Sequence, residues 1–265
     1  MQKLREYGDD PRDRSTYDDA DARDKAFSRL MADLVSANKK EVSSAIASPT
    51  RHALTKLEAD IATLLISKGF VEVRTPTIVS VASLAKMTIT EDHPLYKQVF
   101  FIDGKRCLRP MHAMNLYYVM RKLRDHTDGP VRIFEIGSCF RKESHSGTHL
   151  EEFTMLNLVE LGPDRDAMEA LKENITDIMD LTGLNYALSR EESDVYRETL
   201  DVEVDGVELA SGAVGPHVLD SAHDIHEPWS GVGFGLERLL MLMNNKGNVK
   251  KMGRSLSYLN GAKIN

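Results

Sequence analysis

The sequence is poor in cysteine, has no long apolar run and carries no excess of positive charge. Only two of its 265 residues are cysteines, Cys107 and Cys139, which is too few for a disulfide framework or a thiolate zinc site. We therefore expect a reducing, cytoplasmic environment. No apolar run approaches the roughly 20 residues of a transmembrane helix. The first residues, MQKLREYGDD, lack the apolar core of a signal peptide, so we expect no membrane partner.

The net charge of −7 excludes a protein that coats nucleic acid by bulk positive charge. Any nucleic-acid partner would need a local basic surface. Candidates are the stretches 121–126 and 244–254, together with Lys39 and Lys40. Apolar residues make up 42% of the chain and charged residues 28%, which gives enough material for the core of one large domain.

The chain divides into two parts by composition. Residues 1–50 form a charged extension in which Phe27, Leu30, Met31 and Leu34 recur at helical spacing. We predict one or two exposed helices there. Residues 51–265 show the alternating elements of a folded domain, and we predict that they form the catalytic domain.

Hairpin signals define the fold class. Asp103-Gly104 and Asp205-Gly206 each lie between two β-type runs, which predicts two hairpins. Amphipathic helices are predicted after Pro49, over MNLYYVMRKLRDH, over DAMEALKENITDIMDLTG and from GFGLERLLMLM. Hairpin-joined strands favour an antiparallel sheet, so the sequence predicts an α+β fold with helices packed against that sheet.

The stretch FRKESHSGTHLEEFTML holds the first candidate site. Arg141 and Glu143 are two residues apart, and on a strand they would point to one face. Phe153, Met155 and Asn157 would share a face of the returning strand. A guanidinium suits phosphate oxygens, an aromatic ring suits a purine, and a carboxylate accepts from an exocyclic amine. A salt-bridged surface hairpin with Phe153 in the core remains an open alternative.

Alternating glycines mark the second candidate. Gly231, Gly233 and Gly235 leave one strand face bare, so that a flat ligand can approach the backbone, and Arg238 follows at the start of a helix. A dinucleotide-binding loop is disfavoured because Leu236 stands where its third glycine belongs. A glycine-rich strand end with a surface arginine is the simpler alternative.

The late hairpin supplies a third, weaker candidate. Glu203 and Glu208 flank its turn, and Ser211 follows three residues after Glu208. A carboxylate and a hydroxyl beside a phosphate site would suit magnesium, which takes few protein oxygens together with substrate phosphates. Taken alone, the pattern fits a solvated hairpin better.

In this order, the segments resemble the three motifs of class II aminoacyl-tRNA synthetases. GFVEVRTPTI, with Pro76, is similar to motif 1, which implies a homodimer. CFRKESHSGTHLEEF resembles motif 2, and GVGFGLERLL resembles motif 3. A narrower resemblance lies in the segments LRPMHAMNLYYVMRKLRD, FEIGSCFRKESHSGTHLEEFTMLNLVE, ESDVYRETLDVEVDGVELASGAVGP, EPWSGVGFGLERLL and SYLNGAKIN. From about residue 50 onward the chain looks like the pyrrolysyl-tRNA synthetase family, in the short form that lacks a separate N-terminal tRNA-binding domain.

The resemblance implies an ATP site. Arg141 would hold the α-phosphate and the substrate carboxylate, and Phe153 and Arg238 would sandwich the adenine. Arg141 and Arg238 would be the catalytic residues, and Glu208 and Ser211 would carry Mg²⁺. The nucleotide site would comprise Arg141, Glu143, His149, Leu150, Phe153, Met155, Glu208, Leu209, Ser211, Gly233 and Arg238.

The resemblance also implies an amino-acid pocket. It would comprise Ala113, Leu116, Tyr117, Met120, Asn157, Val159, Tyr196, Trp229 and Gly231. Asn157 would bind the side-chain amide of pyrrolysine, and Tyr196 would close over the ligand. Because the substrate is a lysine acylated by a large apolar ring, an apolar cavity with one polar group suits it. His112 and Met114 depart from the more apolar family pattern and put the fine shape of the pocket in doubt.

The resemblance implies ATP-dependent ligation of pyrrolysine to its cognate tRNA through an aminoacyl-adenylate, with release of pyrophosphate and AMP. Two alternatives stay open. One is a synthetase for another amino acid, such as phenylalanine or lysine. The other is a catalytically silent, synthetase-like protein that binds tRNA.

Overall fold

The structure, a computed structural model, describes residues 16–143, 147–193 and 195–264. Its helices are α1 (Ala20–Ala47), α2 (Ala53–Ser67), α3 (Val81–Lys86), α4 (Ala113–Arg124), α5 (Ala167–Thr182) and α6 (Leu236–Met243). Its strands are β1 (Val71–Glu72), β2 (Ile78–Ser80), β3 (Arg106–Leu108), β4 (Val131–Phe140), β5 (Glu152–Leu161), β6 (Ala187–Ser193), β7 (Arg197–Val204), β8 (Val207–Gly215), β9 (Trp229–Gly235), β10 (Tyr258–Leu259) and β11 (Ala262–Lys263).

A seven-stranded sheet organises the described residues, with strand order β1-β4-β5-β9-β8-β7-β6. Every neighbouring pair is antiparallel except the short edge strand β1, which runs parallel to β4. The predicted α+β class is therefore confirmed, with one parallel strand added to the expected antiparallel sheet. Two further pairs, β2–β3 and β10–β11, lie outside it.

Both faces of the sheet are covered, because successive residues of a strand point to opposite sides. Leu156 and Leu158 of β5 point into a core shared with α2, α5 and α6. Val159 of the same strand points to a second core, shared with α4. Burial of each such leucine or valine contributes about 1.5–3 kcal/mol. The face that carries Val159 is the one that holds the cavity described below.

The helix predicted after Pro49 forms as α2 because its apolar residues recur at three- and four-residue spacing. Leu54, Leu57, Ile61 and Leu65 make one buried stripe. The helix ends where Gly69 adopts a φ of +85°, a left-handed conformation that a residue with a side chain rarely adopts. The stripe attaches α2 to the sheet beside β1.

Of the two predicted hairpins, one forms as a regular pair of strands. Asp205 and Gly206 both have positive φ, as a tight hairpin turn requires, and join β7 to β8. The chain also reverses about Asp103-Gly104, where the N–H of Ile102 donates to the carbonyl of Arg106 and the N–H of Leu108 donates to the carbonyl of Phe100, both at 2.9 Å. The hairpin is less regular than predicted, because its first arm forms only a Phe101–Cys107 bridge and the strand β3 pairs on its other side with β2. The residues Pro94–Gln98, just before the first arm, form a 3-10 helix.

Helix α1 is a single 28-residue helix, so the first of the two predicted outcomes, one helix or two, is the one observed. Asp19 caps its start by accepting from the backbone N–H of Ala22. None of its residues is fully buried. Asn38 attaches it to the C-terminal strand β11, donating to the carbonyl of Lys263 at 2.6 Å and accepting from its N–H at 2.7 Å. The boundary at residue 50 stays a prediction, and residues 1–15 lie outside the described ranges.

Within residues 16–143, 147–193 and 195–264, no helix is both long and apolar enough to cross a bilayer. The 28 residues of α1 are long enough in number, but they are rich in charge.

Candidate active site

One cavity of about 540 Å³ lies on the α4 side of the sheet. It opens over the centre of β5 and β9 and is bounded by α4, the start of α6 and the β6–β7 hairpin. Every residue that the sequence predicts for the two sites lines it. They are Ala113, Leu116, Tyr117, Met120, Arg141, Glu143, His149, Leu150, Phe153, Met155, Asn157, Val159, Tyr196, Glu208, Leu209, Ser211, Trp229, Gly231, Gly233 and Arg238.

Strand β5 forms the floor through its two-residue period. Phe153, Met155, Asn157 and Val159 all line the cavity, whereas the intervening Leu156 is buried on the opposite face. The shared face predicted for Phe153, Met155 and Asn157 is therefore confirmed. It places an aromatic ring, a thioether and an amide in a row along one strand.

The glycines of β9 leave room for that row. Gly233 pairs directly with Asn157 across the strands. A Cβ added at Gly233 would lie 2.7 Å from Nδ2 of Asn157 and 2.8 Å from Cε of Met155. A larger residue at position 233 would therefore displace the side chains of the floor, which explains the glycine there.

Arg141 and Glu143 reach the cavity from just beyond a strand, because β4 ends at Phe140. The expectation that both lie on the strand is wrong, although both still point to one site. Arg141 donates from Nε to the carbonyl of Pro110 at 3.0 Å, and its guanidinium carbon lies 5.4 Å from the Phe153 ring centre. Burial lowers the pKa of Arg141. Residues 144–146 of the adjoining loop lie outside the described residues.

Arg238 is held by backbone acceptors on both sides of the cavity. Its Nε donates to the carbonyl of Thr148 at 3.0 Å, and its Nη1 donates to the carbonyl of Glu208 at 3.0 Å. The guanidinium thus links the loop after β4 to the hairpin β7–β8. A second cation is thereby positioned at the same end of the cavity as Arg141.

Glu208 and Ser211 both line this end from β8. The Ser211 hydroxyl donates to Asp201 at 2.7 Å, which leaves its oxygen lone pairs free to accept or to coordinate. Burial raises the pKa of the half-exposed Glu208, and the charge of Arg238 opposes that effect. Glu203 pairs with Glu208 across the hairpin, but its carboxylate accepts from the hydroxyl of Ser189 and does not line the cavity. Within the described ranges, no three His, Cys, Asp or Glu side chains form a metal-binding group.

The other end of the cavity is apolar. Leu116 and Met120 of α4 face Val159 of β5, and all three are buried. Asn157 supplies the polar group, and its Oδ1 is buried near the His112 imidazole without a well-formed hydrogen bond to the described residues. A buried amide oxygen without a good hydrogen bond is costly, so this atom is suited to a ligand donor.

Tyr196 closes one side of this apolar end. It lies just before β7, and its ring centre is 6.0 Å from that of Trp229 and 5.7 Å from that of His217. Burial raises its pKa well above the usual range. The hairpin that carries it includes Asp194, which lies outside the described residues.

Sequence reasoning missed Glu237, which also lines the cavity. Its carboxylate accepts from the backbone N–H of Thr154, with both oxygens at 2.9 Å, and only 2% of the residue is exposed. Burial raises its pKa to about 7. No local pattern marks Glu237, because its burial depends on contacts with β5 and Arg254 that are distant or non-periodic in the sequence.

Two further lining residues that the sequence did not indicate, His93 and Gln98, lie at the two ends of the 3-10 helix Pro94–Gln98. The backbone carbonyl of Gln98 accepts from the N–H of Lys142 at 2.7 Å. This contact attaches the segment to the chain that carries Arg141 and Glu143. The two family departures, His112 and Met114, are buried and do not line the cavity.

The chain matches a known protein-family model. The model of the class II core domain of tRNA synthetases (F) matches residues 36–260. This range covers the whole seven-stranded sheet and the cavity.

Solved structures of pyrrolysyl-tRNA synthetase from Desulfitobacterium hafniense are similar over nearly the full length. One is 47% identical with a TM-score of 0.92 and covers 100% of this chain and 96% of that chain. Another is 46% identical with a TM-score of 0.90 and covers 99% and 95%.

Curated relatives are more distant. An O-phosphoserine--tRNA(Cys) ligase of Methanococcus vannielii is 25% identical over 175 residues, which cover 62% of this chain and 33% of the relative. A phenylalanine--tRNA ligase alpha subunit of Listeria monocytogenes is 25% identical over 228 residues, covering 73% and 62%. The chain thus spans about a third of the length of the first of these relatives.

Proposed function

Because the chain belongs to the class II tRNA synthetase family, we propose that it is an ATP-dependent ligase that joins pyrrolysine to its cognate tRNA. The observation that carries the proposal is one cavity with two chemically different ends. Arg141, Arg238 and Phe153 surround one end, and apolar side chains with a single amide surround the other. Solved relatives that are 47% and 46% identical are pyrrolysyl-tRNA synthetases.

The polar end suits ATP. Arg141 and Arg238 offer two guanidinium groups to the phosphates, and bidentate donation favours arginine for this task. Phe153 offers a face on which the adenine stacks, with Arg238 on its other side. Glu143 accepts from the adenine amine, and His149, Leu150, Met155 and Leu209 complete the walls.

Magnesium fits this end as a partner of the triphosphate. Glu208 supplies a carboxylate and Ser211 a hydroxyl oxygen, and magnesium in phosphate sites takes few protein ligands. The bound ion would neutralise part of the phosphate charge. Glu208 lies within 4.0 Å of Arg238, so protein charges and the ion would act on the same phosphates.

The reaction proceeds in two steps. The carboxylate oxygen of the amino acid attacks the α-phosphorus of ATP, which forms the aminoacyl-adenylate and breaks the bond to pyrophosphate. A ribose hydroxyl at the tRNA end then attacks the acyl carbon, and AMP leaves. The protein holds the reactants together and stabilises the charge that develops on the phosphate. Arg141 and Arg238 are the principal groups that provide this stabilisation.

The apolar end suits an Nε-acylated lysine. The acyl amide of such a substrate has one N–H and one C=O, and the amide of Asn157 offers the complementary acceptor and donor. Leu116, Met120 and Val159 surround the ring. Free lysine would leave an ammonium group in this apolar space, and O-phosphoserine would leave a phosphate there, each at a large desolvation cost.

The proposal includes a homodimer. Apolar side chains in and beside the motif 1 segment are exposed in the single chain, namely Ile66 at 56%, Val71 at 59% and Ile78 at 51%. Exposed apolar groups clustered in one segment favour a protein interface. A second copy of this chain, as the resemblance implies, would cover them.

The proposal also includes tRNA binding by local basic groups. The stretch 121–126 is a weaker candidate than its composition suggests, because Arg121 is paired with Asp125 and Asp224 at 2.6 Å each. Lys39 and Lys40 of α1 are exposed side by side. We assign the phosphate contacts of the tRNA in part to this pair. Action on tRNA agrees with the cytoplasmic location expected from the sequence.

Amino-acid-dependent exchange of labelled pyrophosphate into ATP tests the proposal. Pyrrolysine should support exchange, and omission of the amino acid should abolish it. The silent, tRNA-binding alternative predicts no exchange with any amino acid.

A further inference from the structure

A buried carboxylate lies directly behind the wall of the amino-acid end. Asp220 is only 2% exposed and belongs to a short 3-10 helix, Asp220–His223. Its Oδ1 accepts from the hydroxyl of Tyr117 at 2.9 Å, and its Oδ2 accepts from Nε1 of Trp229 at 2.8 Å. The backbone N–H of His217 also donates to Oδ2, at 2.5 Å. Both oxygens are therefore occupied by donors from the protein.

The two rings that Asp220 holds come from distant elements and form the wall together. Tyr117 lies on α4 and Trp229 on β9, and their ring centres are 5.8 Å apart at an angle of 80°. Tyr117 also stacks on His223, with centres 4.2 Å apart. A Cβ at Gly215, the partner of Trp229 in the sheet, would collide with the indole. The indole is thus fixed by the backbone on one side and by Asp220 at its polar edge.

The same carboxylate also supports the surface on which Tyr196 rests. The Tyr196 ring contacts two groups, Trp229 at 6.0 Å and His217 at 5.7 Å between ring centres. Asp220 binds the indole N–H of the first and the backbone N–H of the second. One side chain therefore links the fixed wall of the pocket to the residue that closes it.

We propose that Asp220 is the positioning residue of the amino-acid pocket, which it serves without touching the substrate. It fixes Tyr117 and Trp229 in the wall, and it holds Trp229 and His217, the two residues that the Tyr196 ring contacts. Asp220 itself lies outside the cavity lining. Because it lies behind the two rings and outside the lining, it offers no direct acceptor to the ammonium group of free lysine. The inference rests on the proposed function and concerns the amino-acid end of the same site.

A set of variants tests the role through the split between substrates. In Asp220→Ala, we expect the KM for pyrrolysine or an Nε-acylated lysine to rise at least about tenfold, which corresponds to about 1.4 kcal/mol. The KM for ATP should stay within about twofold, because the nucleotide end does not depend on Asp220. In Asp220→Asn, the KM for the amino acid should stay close to that of wild type. The amide oxygen of the asparagine can accept from Trp229 and His217, while its NH₂ group donates to the Tyr117 hydroxyl.

Two controls separate positioning from a general loss of structure. Asp224→Asn changes a carboxylate of the same segment that is 64% exposed and paired with Arg121, and it should behave as wild type. Should Asp220→Ala fail to fold, Tyr117→Phe removes one donor and keeps the ring, and it should raise the amino-acid KM alone. Equal changes in both KM values, or none in either, would overturn the proposal.

Tryptophan fluorescence provides a readout that does not depend on activity, because Trp229 is the only tryptophan in the chain. Acrylamide quenching of its emission should increase in Asp220→Ala, remain near wild type in Asp220→Asn and not change in Asp224→Asn. Unchanged quenching in folded Asp220→Ala would overturn the positioning role. A wild type inactive with every amino acid would reject the proposed function alone, since the quenching would still decide for or against Asp220.

Discussion

Arg238 and Glu208 are joined through the backbone. Nη1 of Arg238 donates to the carbonyl of Glu208 at 3.0 Å, and the same nitrogen lies 4.0 Å from its carboxylate. A cation from the start of α6 and an anion from β8 are therefore placed together before any ligand binds. Such preorganisation lets charged groups act on a phosphate without reorganisation during the reaction.

Arg141 is the first residue to test at the nucleotide end. In Arg141→Ala we expect pyrophosphate exchange to fall by more than about tenfold, or about 1.4 kcal/mol, because a phosphate contact is lost. Lys142→Ala is the matched control, because Lys142 is the cation next to Arg141 in the chain. Its side chain is exposed and lies over the Phe100 ring, away from the cavity. Exchange within about tenfold of wild type in Arg141→Ala would show that the assigned role is wrong.

Asn157 should determine recognition of the acyl amide. Asn157→Leu keeps the approximate volume and removes the hydrogen-bonding groups, so we expect the KM for Nε-acylated lysines to rise at least about tenfold. Steady-state exchange kinetics would measure it, with the KM for ATP as the internal reference. Apolar amino acids that lack an amide serve as control substrates, and a similar loss with them would contradict the assignment.

Glu237 should make stability depend on pH. Burial raises its pKa from 4.5 to about 7 in the folded protein, so the folded state binds the proton more tightly than the unfolded chain. Its contribution to stability is therefore complete below pH 4.5 and declines as the pH rises towards 7, by up to about 3 kcal/mol.

Urea unfolding of wild type and Glu237→Gln at pH 5 and pH 7.5 would measure this dependence. Glutamine keeps an acceptor for the N–H of Thr154 and cannot ionise, so the free energy of unfolding of the variant should decline less between the two pH values. Parallel pH profiles for the two proteins would show that Glu237 is not the group responsible.

Binding of tRNA should weaken with salt in proportion to the phosphate contacts made. Replacing both Lys39 and Lys40 with alanine should reduce the slope of log K against log salt by about 1.4–1.8, that is, 0.7–0.9 for each contact. Arg121→Ala is the control, because its charge is already paired with Asp125 and Asp224. A slope that is unchanged in the lysine variant would remove these lysines from the binding surface.

The parts of the site that follow from local periodicity were predictable from the sequence. The two-residue period of β5 placed Phe153, Met155 and Asn157 on one face, and the glycines of β9 indicated a bare strand opposite. Asp205-Gly206 required a hairpin from its backbone preferences alone. These features depend on residues close together in the chain, where pattern and conformation are directly linked.

Features that depend on distant contacts were not predictable in this way. The strand β3 pairs with β2, which lies more than 20 residues earlier in the chain, in addition to its contacts across the Asp103-Gly104 turn. Strand β6 reads as polar, since it is an edge strand with little burial. Local sequence does not record which element will lie beside such a segment.

The role of Asp220 belongs to the same class. Its partner Tyr117 is 103 residues away along the chain. An aspartate in the segment DSAH is typical of a turn, and only the fold brings it behind two rings of the pocket. Glu237 was missed for a related reason, since its burial depends on β5 and on Arg254 packing around it.

The most direct test of the central claim is amino-acid-dependent exchange of pyrophosphate into ATP, with pyrrolysine and an Nε-acylated lysine compared against the twenty standard amino acids. The two-ended cavity predicts exchange with pyrrolysine and with the acylated lysine, and a rate for free lysine and phenylalanine close to the rate without amino acid. Preferred exchange with any standard amino acid, or no exchange with any substrate, would contradict the claim.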